Sequence, residues 1–278
     1  MPENLTPGLV VAGLSQLLLL LVGLFLLWRL VLSPAGRAAP QRLQPWAISW
    51  FDFGLLSLAV LLGSLACQVL LGALVSPLSR DLEADFRLVL HGALFQGGLL
   101  VGVCIGVFAL RHKVHAIEGP ASVPGRPNPL LGGAATLVTA LPVLLALNLL
   151  WTWLLERFGF PLDQQELVEL FRRADSPALV GVVVFMAVLV APVVEELIFR
   201  AGIFRFLRTR IPRPVALGLQ AVVFALLHGN FAAFAPLVVL GITFALAYER
   251  SGRILVPIIA HGLFNLNTIL LLLAGVTV

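Results

Sequence analysis

Apolar positions along this chain run together in long, nearly unbroken stretches. Eight runs can be marked, at about 8–32, 48–76, 88–110, 130–154, 178–208, 213–229, 232–249 and 254–276. A run near 20 apolar residues is what the hydrocarbon core of a bilayer requires of a helix. A membrane barrel would instead show short segments of alternating character. The pattern predicts an all-α fold, a polytopic transmembrane helix bundle of about eight spans. Polar or Pro/Gly-rich stretches such as 33–44 and 119–128 separate the runs. The polar segment 163–173 (DQQELVELFRR) is amphipathic and predicts a short interfacial helix before the fifth span. In the third run Gly98, Gly102 and Gly106 recur every four positions, a face on which a neighbouring helix can pack closely.

Composition agrees. Of 278 residues, 60% are hydrophobic and 12% charged, and the mean hydropathy is +1.03. A soluble domain is nearer half apolar and a quarter charged. The first run is too long for the apolar core of a signal peptide and lacks a basic segment before it, so it reads as a retained helix. Cys67 and Cys104 lie inside runs and read as small buried hydrophobes rather than a disulfide framework.

The net charge of +4 does not point to nucleic acid, because most basic residues sit in short loops between runs. Arg37 and Arg42 follow span one. Arg111, Lys113 and Arg126 follow span three. Arg205, Arg208, Arg210 and Arg213 follow span five, and Arg250 and Arg253 lie in the last loop. Two intervening loops are mixed: Asp81, Glu83 and Asp85 stand with Arg80 and Arg87, and Glu156, Asp163, Glu166, Glu169 and Asp175 with Arg157, Arg172 and Arg173. The predominantly basic loops fall on one side, which the positive-inside rule makes cytoplasmic. Both termini are then extracytoplasmic. The expected location is the cell (plasma or inner) membrane if the source is prokaryotic.

Ionisable side chains deep in a membrane helix are costly and mark function by default. The first four spans are nearly free of them. Asp52 and His91 fall near run ends and read as interfacial, and Gln68, Gln96 and Asn148 read as interhelical hydrogen-bonding groups. The last four spans differ. Span five carries Glu195, Glu196 and Arg200 in VVEELIFR, span six Phe224 and His228 in FALLH, and span eight His261 and Asn265 in HGLFN. Counted from the cytoplasmic ends at about 1.5 Å per residue, Glu195 lies roughly 20 Å in, His228 roughly 24 Å, His261 roughly 12 Å and Asn265 roughly 18 Å. Glu196 and Arg200, four apart, can pair and neutralise each other. Glu195 points about 100° away from Glu196 and is the candidate general base for a water molecule. Pro192, one turn earlier, removes a backbone hydrogen bond and can open the helix locally. His261 and Asn265 share a face and can offer two donors to one oxyanion. His228 could share the water with Glu195 or protonate a leaving amine. Water must reach this depth, so a cavity should open to the cytoplasm, with Arg205, Arg208, Arg210, Arg213 and Arg250 around its mouth.

The ordered set EExxxR, FxxxH and HxxxN resembles the CPBP family, which comprises the type II CAAX prenyl endopeptidases, the bacteriocin-processing proteins and the related lysostaphin-resistance and Abi proteins. The resemblance covers about residues 130–272. It implies a protease core in the last four to five spans, 129–278, with 1–128 as an accessory region of three spans. It also implies an intramembrane endopeptidase in which Glu195 and His228 activate water while His261 and Asn265 steady the oxyanion. Glu196 and Arg200 are then a structural pair, and Phe224 supports the motif. The family is often labelled a metalloprotease, and Glu195, His228 and His261 could form a three-ligand zinc site. There is no HExxH, and a glutamate-activated water needs no metal, so the reading here is metal-free with zinc as the alternative. The implied partners are the bilayer and a peptide or membrane-protein substrate, such as a prenylated C-terminus or a leader peptide, and no nucleic acid. Two other readings stand beside this one: a non-enzymatic immunity or scaffold protein of the same fold, and a transporter with charges near its midplane.

Overall fold

The structure is a computed structural model that describes residues 7–44, 46, 48–77, 79–80, 82–111, 128–162, 166–173 and 176–276. Among the described residues all regular structure is helical. Seven helices among them are long and apolar enough to cross a membrane: α1 Pro7–Leu32, α2 Trp50–Val75, α3 Ala84–Ala109, α4 Pro129–Phe158, α6 Pro177–Arg208, α8 Phe234–Ser251 and α9 Leu255–Leu273. The chain is a polytopic helical membrane protein. Between α4 and α6 lies α5, Glu166–Arg173, within the predicted amphipathic segment; residues 163–165 of that segment lie outside the described residues. The sixth apolar run forms α7, Arg213–Leu227, of 15 residues. At 1.5 Å per residue it is only about 22 Å long, short of the roughly 30 Å of a bilayer core.

Local sequence sets the ends. Ser49 and Asp52 form a reciprocal capping box at the start of α2, which gives the buried Asp52 a capping role. Asn128 caps α4 ahead of Pro129, and Pro177 occupies the first turn of α6, where its missing N–H costs nothing. Gly252, with φ of 63°, ends α8 in the left-handed region that glycine enters without penalty.

The described chain forms two compact units. The first comprises Met1–Leu43, Gly125–Gln165 and Leu217–Val278; the second, Gln44–Pro124 and Glu166–Ala216. In the first unit α4 is central, packing on α1, α8 and α9. Ala140 and Leu144 of α4 meet Leu240, Phe244 and Ala260 in a buried cluster. A Cβ on Gly133 would lie 2.5 Å from Ile259, so only glycine lets α4 and α9 come this close. Gln16 Nε2 donates to Asn267 Oδ1 at 2.7 Å, a hydrogen bond between α1 and α9 that the spacing of polar residues did not single out.

In the second unit α2 packs along α3. Gly98, Gly102 and Gly106 are the buried residues of α3. A Cβ on Gly98 would lie 2.6 Å from Ser64 Cα, and one on Gly63 would lie 2.6 Å from the Gly98 carbonyl oxygen. The glycine stripe is the close-packing face its spacing predicted. Gln96 departs from expectation. Its Oε1 is buried with no hydrogen-bond partner, beside a cavity of about 250 Å³ lined by Leu88, Phe95, Leu170, Val183 and Met186. Asn148, in the first unit, is exposed. Cys67 and Cys104 are both free thiols, and Cys104 is exposed rather than buried.

Candidate active site

Helix α6 is not uniformly α. Met186–Val190 is π-helical, Ala191–Glu196 is α, and Leu197–Phe204 is π-helical again. The first π segment ends just before Pro192, where the lost N–H was expected to loosen the helix. Short π segments inside α-helices are frequent at functional sites. The glutamate motif lies between these two segments. Arg200 Nη1 meets Glu196 Oε1 at 3.0 Å, and neither side chain is exposed. Glu195 is only partly buried. The 100° step gives the adjacent carboxylates different surroundings: Glu196 closes a fully buried ion pair, and Glu195 is partly buried with its Oε2 enclosed.

The remaining motif residues lie in the first unit. His228 is one residue past the last helical residue of α7, in a turn completed by Gly229 with φ of 64°. The sequence suggested a residue inside a continuous span; it stands instead where the helix stops. Its Nδ1 lies 2.8 Å from the Phe224 carbonyl oxygen. A carbonyl can only accept, so Nδ1 carries the proton. In the neutral ring Nε2 is then the accepting nitrogen.

Phe224 is fully buried. Its ring centroid is 4.6 Å from that of His228 and 6.1 Å from that of His261, both edge-on. One phenyl ring thus neighbours two imidazoles, one in the turn after α7 and one on α9. His261, on α9, is 4% exposed, and Phe244 of α8 is stacked on it at 5.1 Å and 27°. Asn265 follows four residues later on α9 and is partly buried. Phe244 was missed because span seven carries no ionisable group there, and one phenylalanine among 18 gives no signal.

The arginines expected around a cytoplasmic mouth have other partners. Arg205 is 1% exposed, and its Nε donates to the Gln44 carbonyl at 3.1 Å. Arg210 donates to the carbonyls of Phe206 and Ile48. Arg250 donates to the Leu30 carbonyl at 2.9 Å. Arg205 is therefore not part of an exposed charged rim. Lys113 and Arg126 lie outside the described residues. Among the described residues no three His, Cys, Asp or Glu side chains are grouped as a metal site requires.

These features define an integral membrane protein whose helices carry buried and half-buried polar motif residues. Residues 177–267 match the Rce1-like family, described as type II CAAX prenyl endopeptidase Rce1-like. The matched segment contains Glu195, Glu196, Arg200, Phe224, His228, His261 and Asn265, and it bears out the resemblance that those residues carry. The protein named "Putative membrane peptidase YdiL", from Bacillus subtilis (strain 168), is 32% identical over 97 residues, 35% of this chain. The match spans 40% of that relative's length. No solved structure matches significantly.

Proposed function

We propose that the chain is a CAAX-protease-like intramembrane endopeptidase. The observation that carries the reading is Phe224, which holds His228 and His261 against one buried ring. Two imidazoles kept at fixed spacing in a membrane bundle suit acid–base work on one substrate. In this reading Glu195 is the base. Glu195 and the Nε2 of His228 draw a proton from water, whose oxygen attacks the scissile carbonyl carbon. The charge on the former carbonyl oxygen is met by donors from His261 and Asn265. As the C–N bond breaks, the proton passes to the leaving amine. Glu196 is unsuited to this task because Arg200 engages it in a closed, buried pair.

The substrate is proposed to be a peptide or membrane-protein segment, such as a prenylated C-terminus or a leader peptide, cleaved at a cell membrane with both termini outside. Residues 129–278 would supply the catalytic function and 1–128 an accessory one. The reaction is proposed to need no resident zinc; stoichiometric metal whose removal stops hydrolysis and whose return restores it would decide against that. The test of the function itself is mass spectrometry of membrane peptides from cells carrying the wild type or Glu195→Ala. Fragments that disappear in the variant support the protease. Identical peptide sets would favour the scaffold or transporter reading.

A further inference from the structure

Immediately after the second π segment of α6, three successive anchors fix the helix end. Arg205, a charge almost wholly removed from solvent, donates to the Gln44 carbonyl, and its guanidinium carbon lies 5.8 Å from the Trp46 ring. Phe206 is fully buried and stacks on Phe53 at 3.8 Å and 8°. Arg210 lies over the Phe206 ring at 3.8 Å and donates to the Ile48 carbonyl. An arginine held by backbone carbonyls and aromatic faces is directionally fixed, because its donors form a rigid planar fork. Gln44, Trp46 and Ile48 precede α2, in the part of the chain with no motif of its own.

Helical register gives this clamp a consequence at Glu195. A π turn closes i to i+5 and holds one residue more than an α turn. If Leu197–Phe204 lost or gained a π turn, residues on one side would rotate by about 100° relative to the other. That is the angle between adjacent residues. A one-residue slip would bring Val194 or Glu196 to the direction that Glu195 now faces.

We propose that Arg205 and Arg210, held by Gln44, Trp46 and Ile48, are positioning residues that set the register of α6 and so decide which glutamate faces the reacting water. The proposal rests on Glu195 as the base. It gives the chain ahead of α2 a part in the reaction without contact with substrate.

The test uses the full-length chain in a background lacking Cys67 and Cys104, with single probes Val194→Cys and Glu195→Cys reacted with N-ethylmaleimide. Val194 is fully buried and Glu195 partly exposed. With the clamp intact, the Glu195→Cys probe should react about tenfold faster than the Val194→Cys probe, since only an accessible thiolate reacts. Arg210→Gln or Arg205→Gln should bring the two rates to within about twofold, because one residue of slip is about 100°, and Arg210→Lys should restore part of the ratio. General loosening would raise both rates and leave the Glu195→Cys probe ahead, and a clamp with no effect on register would leave the ratio unchanged; either result overturns the proposal. If Arg205→Gln fails to fold, Arg210→Gln alone decides. An unreactive Glu195→Cys probe with the clamp intact would instead defeat the reading of Glu195 as a water-accessible base, and this proposal with it.

Discussion

Glu196 and Arg200 form an ion pair of 3.0 Å with both side chains removed from solvent, while Glu195, one residue earlier, keeps partial exposure. In the proposed mechanism these adjacent residues of identical chemistry have different work. Glu195→Gln should abolish hydrolysis while leaving thermal unfolding within a few degrees of wild type. Glu196→Gln should lower stability by about 3–5 kcal/mol, because it leaves a buried arginine without its counterion. Unfolding followed by tryptophan fluorescence, alongside peptide hydrolysis, separates the two. Equal behaviour of the variants would sink the division of labour.

Phe224 predicts a different kind of loss. Phe224→Leu keeps an apolar side chain but removes the ring edge-on to His228 and His261. The protein should insert and fold, with kcat reduced about tenfold, the size of a modest misplacement of acid–base groups. Phe224→Ala should in addition destabilise by about 3–5 kcal/mol, as emptying a buried phenylalanine site does. Normal kcat in a folded Phe224→Leu variant would remove the ring from the mechanism.

The glycine stripe of α3 makes a prediction about packing alone. Gly98→Val would drive side-chain atoms into Ser64 and Cys67, forcing α2 and α3 apart. Gly97→Val, one position away and without neighbours within 4 Å, should be tolerated. Protease resistance of the two variants in mild detergent should differ sharply. Similar resistance would mean that the close approach contributes little.

Orientation is testable at exposed loop positions. Arg111→Cys and Arg80→Cys both replace exposed residues and flank α3 on opposite sides. In a background without Cys67 and Cys104, an impermeant thiol reagent applied outside should label position 80 and leave position 111 untouched. The reverse pattern would invert the topology. Arg210 is a poor reporter, because its guanidinium packs against Phe206 and Trp50.

Much of the fold was legible because bilayer thickness imposes one length on every span. Each apolar run became a helix with ends close to those read from the sequence. The Glu196–Arg200 pair followed from i,i+4 spacing alone, and the Gly98–Gly106 face from a four-residue repeat. What escaped depends on partners far apart in the chain. Phe244 under His261 and Gln16 bonded to Asn267 are contacts between helices, which hydropathy does not record. The π segments of α6 were invisible because one extra residue per turn leaves no trace in composition. Charge placement puts the arginines after span five around a cavity mouth, but aromatic rings and carbonyls from residues about 160 positions earlier engage two of them.

The shortness of α7 has a consequence for the membrane itself. Its 15 residues leave about 8 Å of a 30 Å hydrocarbon layer uncrossed by helix, and the chain continues as the turn His228–Ala233. Peptide groups there need local partners in a medium that supplies none. Several are visible: the Ala233 amide donates to Asn230 Oδ1 at 2.7 Å, and the Phe231 carbonyl accepts from Trp151 Nε1 at 3.1 Å. The shortness of α7 is thus matched by a turn whose polar backbone groups find partners within the fold rather than in lipid.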